Sequence, residues 1–192
     1  GLDVLLIGIL LNDLRQVTFY LLAFNVAFYA VSVTDLAVSG NFIVALIVEA
    51  RTQGNTGMLR KIYGGLFEFV YLFIIPITVG GVLLRSEIIR LLYTSENIAA
   101  AGFLGVFLVA LAVGKLSGIA STFLVLLDRE RTIAVSRTLL GAANLVLDLL
   151  LIPRYGAFGA VVATSSILLL IAFYETFLLH RIIRPAYSLR FV

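Results

Sequence analysis

Five times along its 192 residues the chain runs apolar over about twenty residues or more, and each time a short polar segment follows. A helix needs about twenty residues to cross the hydrocarbon core of a bilayer. Within that core a chain must satisfy its own backbone hydrogen bonds, which helices do one by one. The sequence therefore predicts an all-α integral membrane protein with spans at about 17–48, 62–84, 99–127, 132–152 and 157–179. The first run outlasts a core of about 30 Å, so it is expected to make one tilted crossing, to bend at Gly40 or to extend beyond the membrane. Residues 1–11 are too short to cross and read as the end of a helix whose beginning precedes residue 1. They carry neither a basic leader nor a cleavage signal. The expected architecture is a bundle of five complete transmembrane helices plus a truncated first helix over residues 1–180, with a basic cytoplasmic tail at 181–192.

Composition excludes several function classes. At 61% hydrophobic and 13% charged residues, with mean hydropathy +1.11, the chain is too apolar for a soluble domain. It has no cysteine and one histidine, so no disulfide framework, thiolate metal site, cofactor site or cysteine nucleophile is expected. An intramembrane transferase would need convergent acid–base groups near one surface, and the scattered carboxylates with a single His180 at the membrane border do not supply them. The reading is of a protein that is not an enzyme. The net charge of +3 comes from basic residues dispersed between the apolar runs, which speaks against a nucleic-acid partner.

Those basic residues set a topology. The segments 49–61, 128–137 and 180–192 carry nine: Arg51, Arg60, Lys61, Arg129, Arg131, Arg137, Arg181, Arg184 and Arg190. The alternate segments carry four, Arg15, Arg85, Arg90 and Arg154. The richer side is expected to be cytoplasmic, and with it the C-terminus.

Charges inside apolar spans are costly and mark functional candidates. They are Asp3, Asp35, Glu68, Lys115, Asp148 and Glu175. Lys115 is the one basic residue well inside a span and shares a stripe with Leu111, Gly118 and Thr122; it either binds an anion or forms an ion pair with Asp148, Glu68 or Asp35. Arg137, Gly141, Asn144 and Asp148 fall on one face of a helix, as do Asn25, Ser32, Asp35 and Ser39. Such stripes line a wet cavity or bond between helices: interhelical bonding is the expectation for Asn144 and a cavity for Asp35. Glu68, with Tyr71 on its face, and Glu175 are expected to reach the interface. The basic residues at 49–61 are read as topological.

The stretch 144–164, NLVLDLLLIPRYGAFGAVVAT, reads as a tight membrane hairpin. Pro153 should stop the first helix, Gly156 can take the positive φ of a helix exit, and Arg154 and Tyr155 suit an interface. Gly156, Gly159, Ala160 and Ala163 offer a small-residue face for close packing. Asn144, the small polar residue at 148, Ile152-Pro153, Tyr155-Gly156, Gly159-Ala160 and Ala163-Thr164 together resemble the hairpin signature of O-antigen-type polysaccharide flippases, members of the multidrug/oligosaccharidyl-lipid/polysaccharide exporter superfamily. Asp3 to Gly8 is similar to that family's D-x-x-x-I-G helix, Tyr20 with Ala23 to its next helix, and Leu126-Leu127-Asp128-Arg129 to its basic connector. The match is to the family's C-terminal half.

The resemblance implies one lobe of a two-lobe transporter that moves a lipid-linked oligosaccharide across the cell membrane by alternating access. It implies that a missing N-terminal lobe, or a second chain, completes the cavity, with membrane lipids around it. Lys115 would then bind the lipid pyrophosphate, and Asp35, Glu68, Asp148, Asn144, Arg137 and Asn25 are the other substrate-binding or cavity-lining candidates. The alternatives are a cation-coupled multidrug exporter of the same superfamily, with Asp35 or Glu68 as the ion site, and a membrane assembly subunit that transports nothing.

Overall fold

The computed structural model describes residues 2–35 and 41–183. Among them the chain is helical throughout, in the order α1 (Leu2–Leu11), α2 (Leu14–Ser32), α3 (Asn41–Thr52), α4 (Thr56–Leu83), α5 (Arg85–Leu92), a 3-10 turn (Ser95–Asn97), α6 (Ala100–Leu126), α7 (Glu130–Tyr155) and α8 (Ala157–Ile183). Five of these, α2, α4, α6, α7 and α8, are long and apolar enough to cross a membrane. The chain is an all-α multi-pass membrane protein.

Local chemistry sets most helix ends. Asp13 accepts the backbone N–H of Arg15 at 2.9 Å to cap α2, and Asn55 accepts that of Met58 at 2.9 Å to cap α4. Helix α6 ends in a left-handed residue, Asp128 at φ +59°. The N–H of Arg129 returns to Leu124 O (2.9 Å) and that of Asp128 to Val125 O (3.1 Å), a Schellman closure made without glycine. Arg51 from α3 holds this end by donating to Leu126 O at 2.7 Å and pairing with the Asp128 carboxylate. Arg60 likewise donates to Ile183 O at the end of α8. The basic residues at 49–61, read as topological, thus also satisfy the last carbonyls of the two central helices.

Helices α6 and α8 form the centre, and α2, α4 and α7 pack around them. The buried faces of α6 and α8 are built from small and aliphatic side chains, among them Ala100, Leu104, Ala112, Ala120, Ala157, Ala160 and Ala163. Phe107 of α6 meets the rings of Tyr20 and Phe24 edge-on at 5.3 Å each, joining α2 to the centre. Outward-facing residues of α4 and α7, such as Leu72, Ile75, Leu139 and Leu150, remain exposed as lipid-facing positions require.

Several boundaries differ from expectation. The run 17–48 is not one helix: α2 ends at Ser32, and α3 is separate and too short to cross. Gly40 and Ser39 lie outside the described residues, as do residues 184–192 of the tail. The polar segment 49–61 shrinks to residues 53–55, because α3 runs on to Thr52 and α4 starts at Thr56. The span expected at 132–152 covers Glu130–Tyr155, and the last span reaches Ile183.

Pro153 does not stop α7. Its missing N–H costs one intrahelical bond in the final turn, and the N–H of Gly156 still reaches Ile152 O at 2.8 Å. The turn itself is a single residue. Gly156 adopts φ +63°, ψ −151°, a conformation open in practice to glycine alone. Gln16 braces it by accepting the N–H of Ala157 at 2.7 Å. Immediately beyond, Gly159 lies so close to α7 that a Cβ would stand 2.4 Å from Leu151 O.

These contacts predict a graded response to alanine. Gly156→Ala meets both a forbidden backbone and Gln16 Oε1 at 2.4 Å, a cost of about 1–3 kcal/mol from the backbone alone. Gly159→Ala forces the hairpin apart. Gly102→Ala and Gly141→Ala enter open space and should leave thermal stability in detergent nearly unchanged, while the first two lower it by several degrees.

Candidate functional site

Three groups of polar side chains lie within the bundle. The first gathers α1, α2, α7 and α8 around Asp3. Its Oδ2 accepts the Tyr20 hydroxyl at 2.9 Å, and its Oδ1 accepts Asn144 Nδ2 at 3.0 Å. The same amide nitrogen donates to Asp148 Oδ2 at 3.1 Å, one turn along α7. The Thr164 hydroxyl lies 3.3 Å from that of Tyr20 and 3.5 Å from Asp3 Oδ2. Asp148 and Thr164 each stand about two turns in from Gly156, about 12 Å below the hairpin end.

Asp148 is fully buried. Asp148 Oδ1 and Asn144 Oδ1 are buried without a hydrogen-bond partner. Neither Asp3 nor Asp148 forms an ion pair among the described residues. Two carboxylates bridged by one amide, with oxygen atoms left over and no cation in the set, form a cluster of hard oxygen donors.

The second group is the ion pair of Lys115 on α6 with Asp35, three residues beyond the end of α2. Lys115 is largely covered and Asp35 half exposed, so the pair sits at the mouth of a cavity of about 180 Å³ that Phe28, Ser32, Gly114 and Gly118 also line. Of the three carboxylates considered as partners for Lys115, Asp35 is the one found. Asn25 is exposed on α2 and does not line this cavity.

The third is a bidentate pair across the hairpin, with Arg137 Nε to Glu175 Oε1 at 2.8 Å and Arg137 Nη2 to Glu175 Oε2 at 3.1 Å. Glu175 is 0% exposed, which corrects the expectation that it reaches the interface. Its charge is held inside because the guanidinium fork meets both oxygens. The α7 stripe therefore divides: Arg137 faces α8, while Asn144 and Asp148 turn to α1. Glu68 is exposed on α4 and makes no ion pair among the described residues, whereas Tyr71 turns inward and donates to Ala112 O at 3.0 Å. Among the described residues no group of three or more metal-binding side chains occurs.

Sequence reasoning put Asn144 and Asp148 among the candidates and noted Asp3 as a charge within a helix. It did not bring Tyr20, Thr164 or Gln16 to the site, although the first two belong to the segments that carried the family resemblance. Their hydroxyls look unremarkable on isolated helices, and only helix packing gives them a shared partner.

A family model described as polysaccharide biosynthesis protein matches residues 1–101, more than half of the chain. The chain belongs to the polysaccharide biosynthesis protein family. The matched region of this polysaccharide biosynthesis protein runs from α1 to the start of α6 and contains Asp3, Tyr20, Asp35 and Glu68; Lys115, Asn144, Asp148 and Thr164 follow it. Neither the curated proteins nor the solved structures contain a match to the chain.

The pair of buried Glu175 with half-exposed Arg137 yields a stability prediction. Arg137→Ala leaves Glu175 without its cation inside the bundle, and unfolding in detergent should register a loss of about 3 kcal/mol or more. Removing both charges with Arg137→Met and Glu175→Leu should recover most of that loss. Additive losses in the double variant would show that the two side chains do not act together.

Proposed function

We propose that this protein is one lobe of a flippase that carries lipid-linked oligosaccharide across the cytoplasmic membrane by alternating access, with a monovalent cation bound between Asp3 and Asp148 as the coupling ion. The observation that carries the reading is the Asp3–Asn144–Asp148 group, in which Asp148 is fully buried and Asp3 and Asn144 are partly so, without a basic partner among the described residues. Two adjacent carboxylates at membrane depth repel each other, and Asp148 is cut off from water. A hard cation held by their oxygens, the Thr164 hydroxyl and, after a half-turn of the amide, Asn144 Oδ1 removes both costs. Binding and release of that ion would change how α1 sits against α7 and α8, the kind of shift that can bias one lobe's conformation.

This assignment moves the ion site away from Asp35 and Glu68. Asp35 already balances Lys115, and Glu68 stands exposed. The substrate end is Lys115. A pyrophosphate would take over the ammonium from the Asp35 carboxylate, and the glycines at 114 and 118 leave its headgroup room. A cavity of about 180 Å³ is smaller than a sugar chain demands, so the remaining wall is assigned to a second lobe, from another chain or another segment. No covalent step is part of this reading. The basic-rich ends, including the C-terminus, are assigned to the cytoplasm.

Flipping of a lipid-linked oligosaccharide in reconstituted vesicles, with sodium and proton gradients imposed separately, tests both halves. Lys115→Ala should abolish transport while insertion and thermal stability stay unchanged. Asp148→Asn should remove the dependence on the coupling gradient. Unchanged flipping in the lysine variant removes Lys115 from the mechanism, and an unchanged gradient response in the aspartate variant removes the cluster. Efflux of a fluorescent cation in place of lipid transport would favour the drug-exporting branch.

A further inference from the structure

The α7–α8 hairpin carries a second feature that transport as proposed does not use. A groove of about 610 Å³ runs along its side, with Arg131 and Thr132 at one end, Val135, Leu139 and Leu170 further in, and Tyr174 on the flank. It opens away from the Lys115 cavity. Leu168 lines that cavity and Leu170 lines the groove, and two residues on a helix differ by about 200° in direction. The groove therefore faces the surrounding lipid.

Its polarity is graded. Over two turns of α7, about 12 Å, the lining changes from the Arg131 guanidinium and the hydroxyls of Thr132 and Ser136, the latter already donating to Ile133 O at 2.9 Å, to leucines. The polar end belongs to the basic end of the bundle, where Arg129 and Arg131 begin α7. Arg181, packed 4.6 Å over the ring of Phe177, stands as far from Gly156 along α8 as Arg131 does along α7. Of the acidic residues nearby, Asp128 is paired with Arg51 and Glu175 with Arg137, which leaves Glu130 against three arginines. A positive end at the membrane surface followed by an apolar channel running inward is the shape and charge of an amphiphile with an anionic head. A helix from a partner protein would match the leucines but not the gradient.

We propose that this groove binds an anionic phospholipid, its phosphate on Arg131 and one acyl chain along Val135, Leu139 and Leu170, with Tyr174 beside that chain at the height of Leu139. Such a lipid would fasten the two helices of the hairpin to the leaflet that carries most anionic lipid.

The test uses the full chain in nanodiscs of phosphatidylcholine containing a minor fraction of phosphatidylglycerol, with retained lipid counted by native mass spectrometry. Phosphatidylglycerol should be retained in preference to phosphatidylcholine. Arg131→Ala should lower its retention about fivefold, Arg131→Lys should largely keep it, and Arg90→Ala at the other end of the bundle should change nothing. Leu139→Trp, which fills the groove, should reduce retention of both lipids. Arg131 and Leu139 are exposed at the helix surface, so thermal stability is expected to hold and is read alongside. Equal retention of the two phospholipids, or no response to Arg131→Ala, overturns the proposal. Displacement of phosphatidylglycerol by equimolar polyprenyl phosphate also overturns it, and would assign the groove to the transported lipid instead.

Discussion

The architecture depends on one close approach, where the backbone of α8 at Gly159 touches that of α7 at Leu151. No side chain fits between them, and the single-residue turn at Gly156 leaves no slack on either side. Two long helices joined this tightly run antiparallel in a fixed register, so residues equally distant from Gly156 face one another. Arg137 and Glu175 satisfy that condition and form their bidentate pair. The same register sets the heights of Asp148 and Thr164. Gln16, reaching from α2 to the first N–H of α8, ties the hairpin to the helices that bring Asp3 and Tyr20.

Charge inside the bundle is handled in three ways. Arg137 and Glu175 neutralise each other, at the expense of dehydrating a carboxylate completely. Lys115 and Asp35 also neutralise each other, but at a cavity mouth where water or an anion can compete. Asp3 and Asp148 form no ion pair among the described residues: they share the Asn144 amide, and Asp3 alone also takes a phenol and a hydroxyl, all of which lack positive charge. Hydrogen bonds distribute negative charge without cancelling it. That asymmetry separates groups that hold the bundle together from groups with chemistry left to do.

Much of this was legible in the residues. The apolar runs around α4, α6, α7 and α8 appear close to their final limits, because length and hydropathy alone decide whether a helix can span a bilayer. The small-residue face of α8 was equally plain in Gly156, Gly159, Ala160 and Ala163, which now lie at its packed start. Helix ends were less legible. Pro153 signals a stop, but near a helix terminus the lost bond matters little and the chain continues. The separation of α3 from α2 was read as a bend at Gly40 within one tilted crossing, whereas α2 already ends at Ser32, because few polar residues in an apolar run do not say whether the chain bends or starts a new helix.

The partners of the polar residues divide along the same line. Sequence alone determined that this is a helical membrane protein of the polysaccharide biosynthesis family, that its charges at membrane depth are few, and which residues they are, since burial energy per residue depends on side-chain type and run length. Only the tertiary structure decided that Lys115 meets Asp35, that Arg137 meets Glu175 across the hairpin, and that Asp3, Tyr20, Asn144, Asp148 and Thr164 converge. Those meetings join residues up to 161 positions apart, and the crossing and register of packed helices carry no signature in any single one of them.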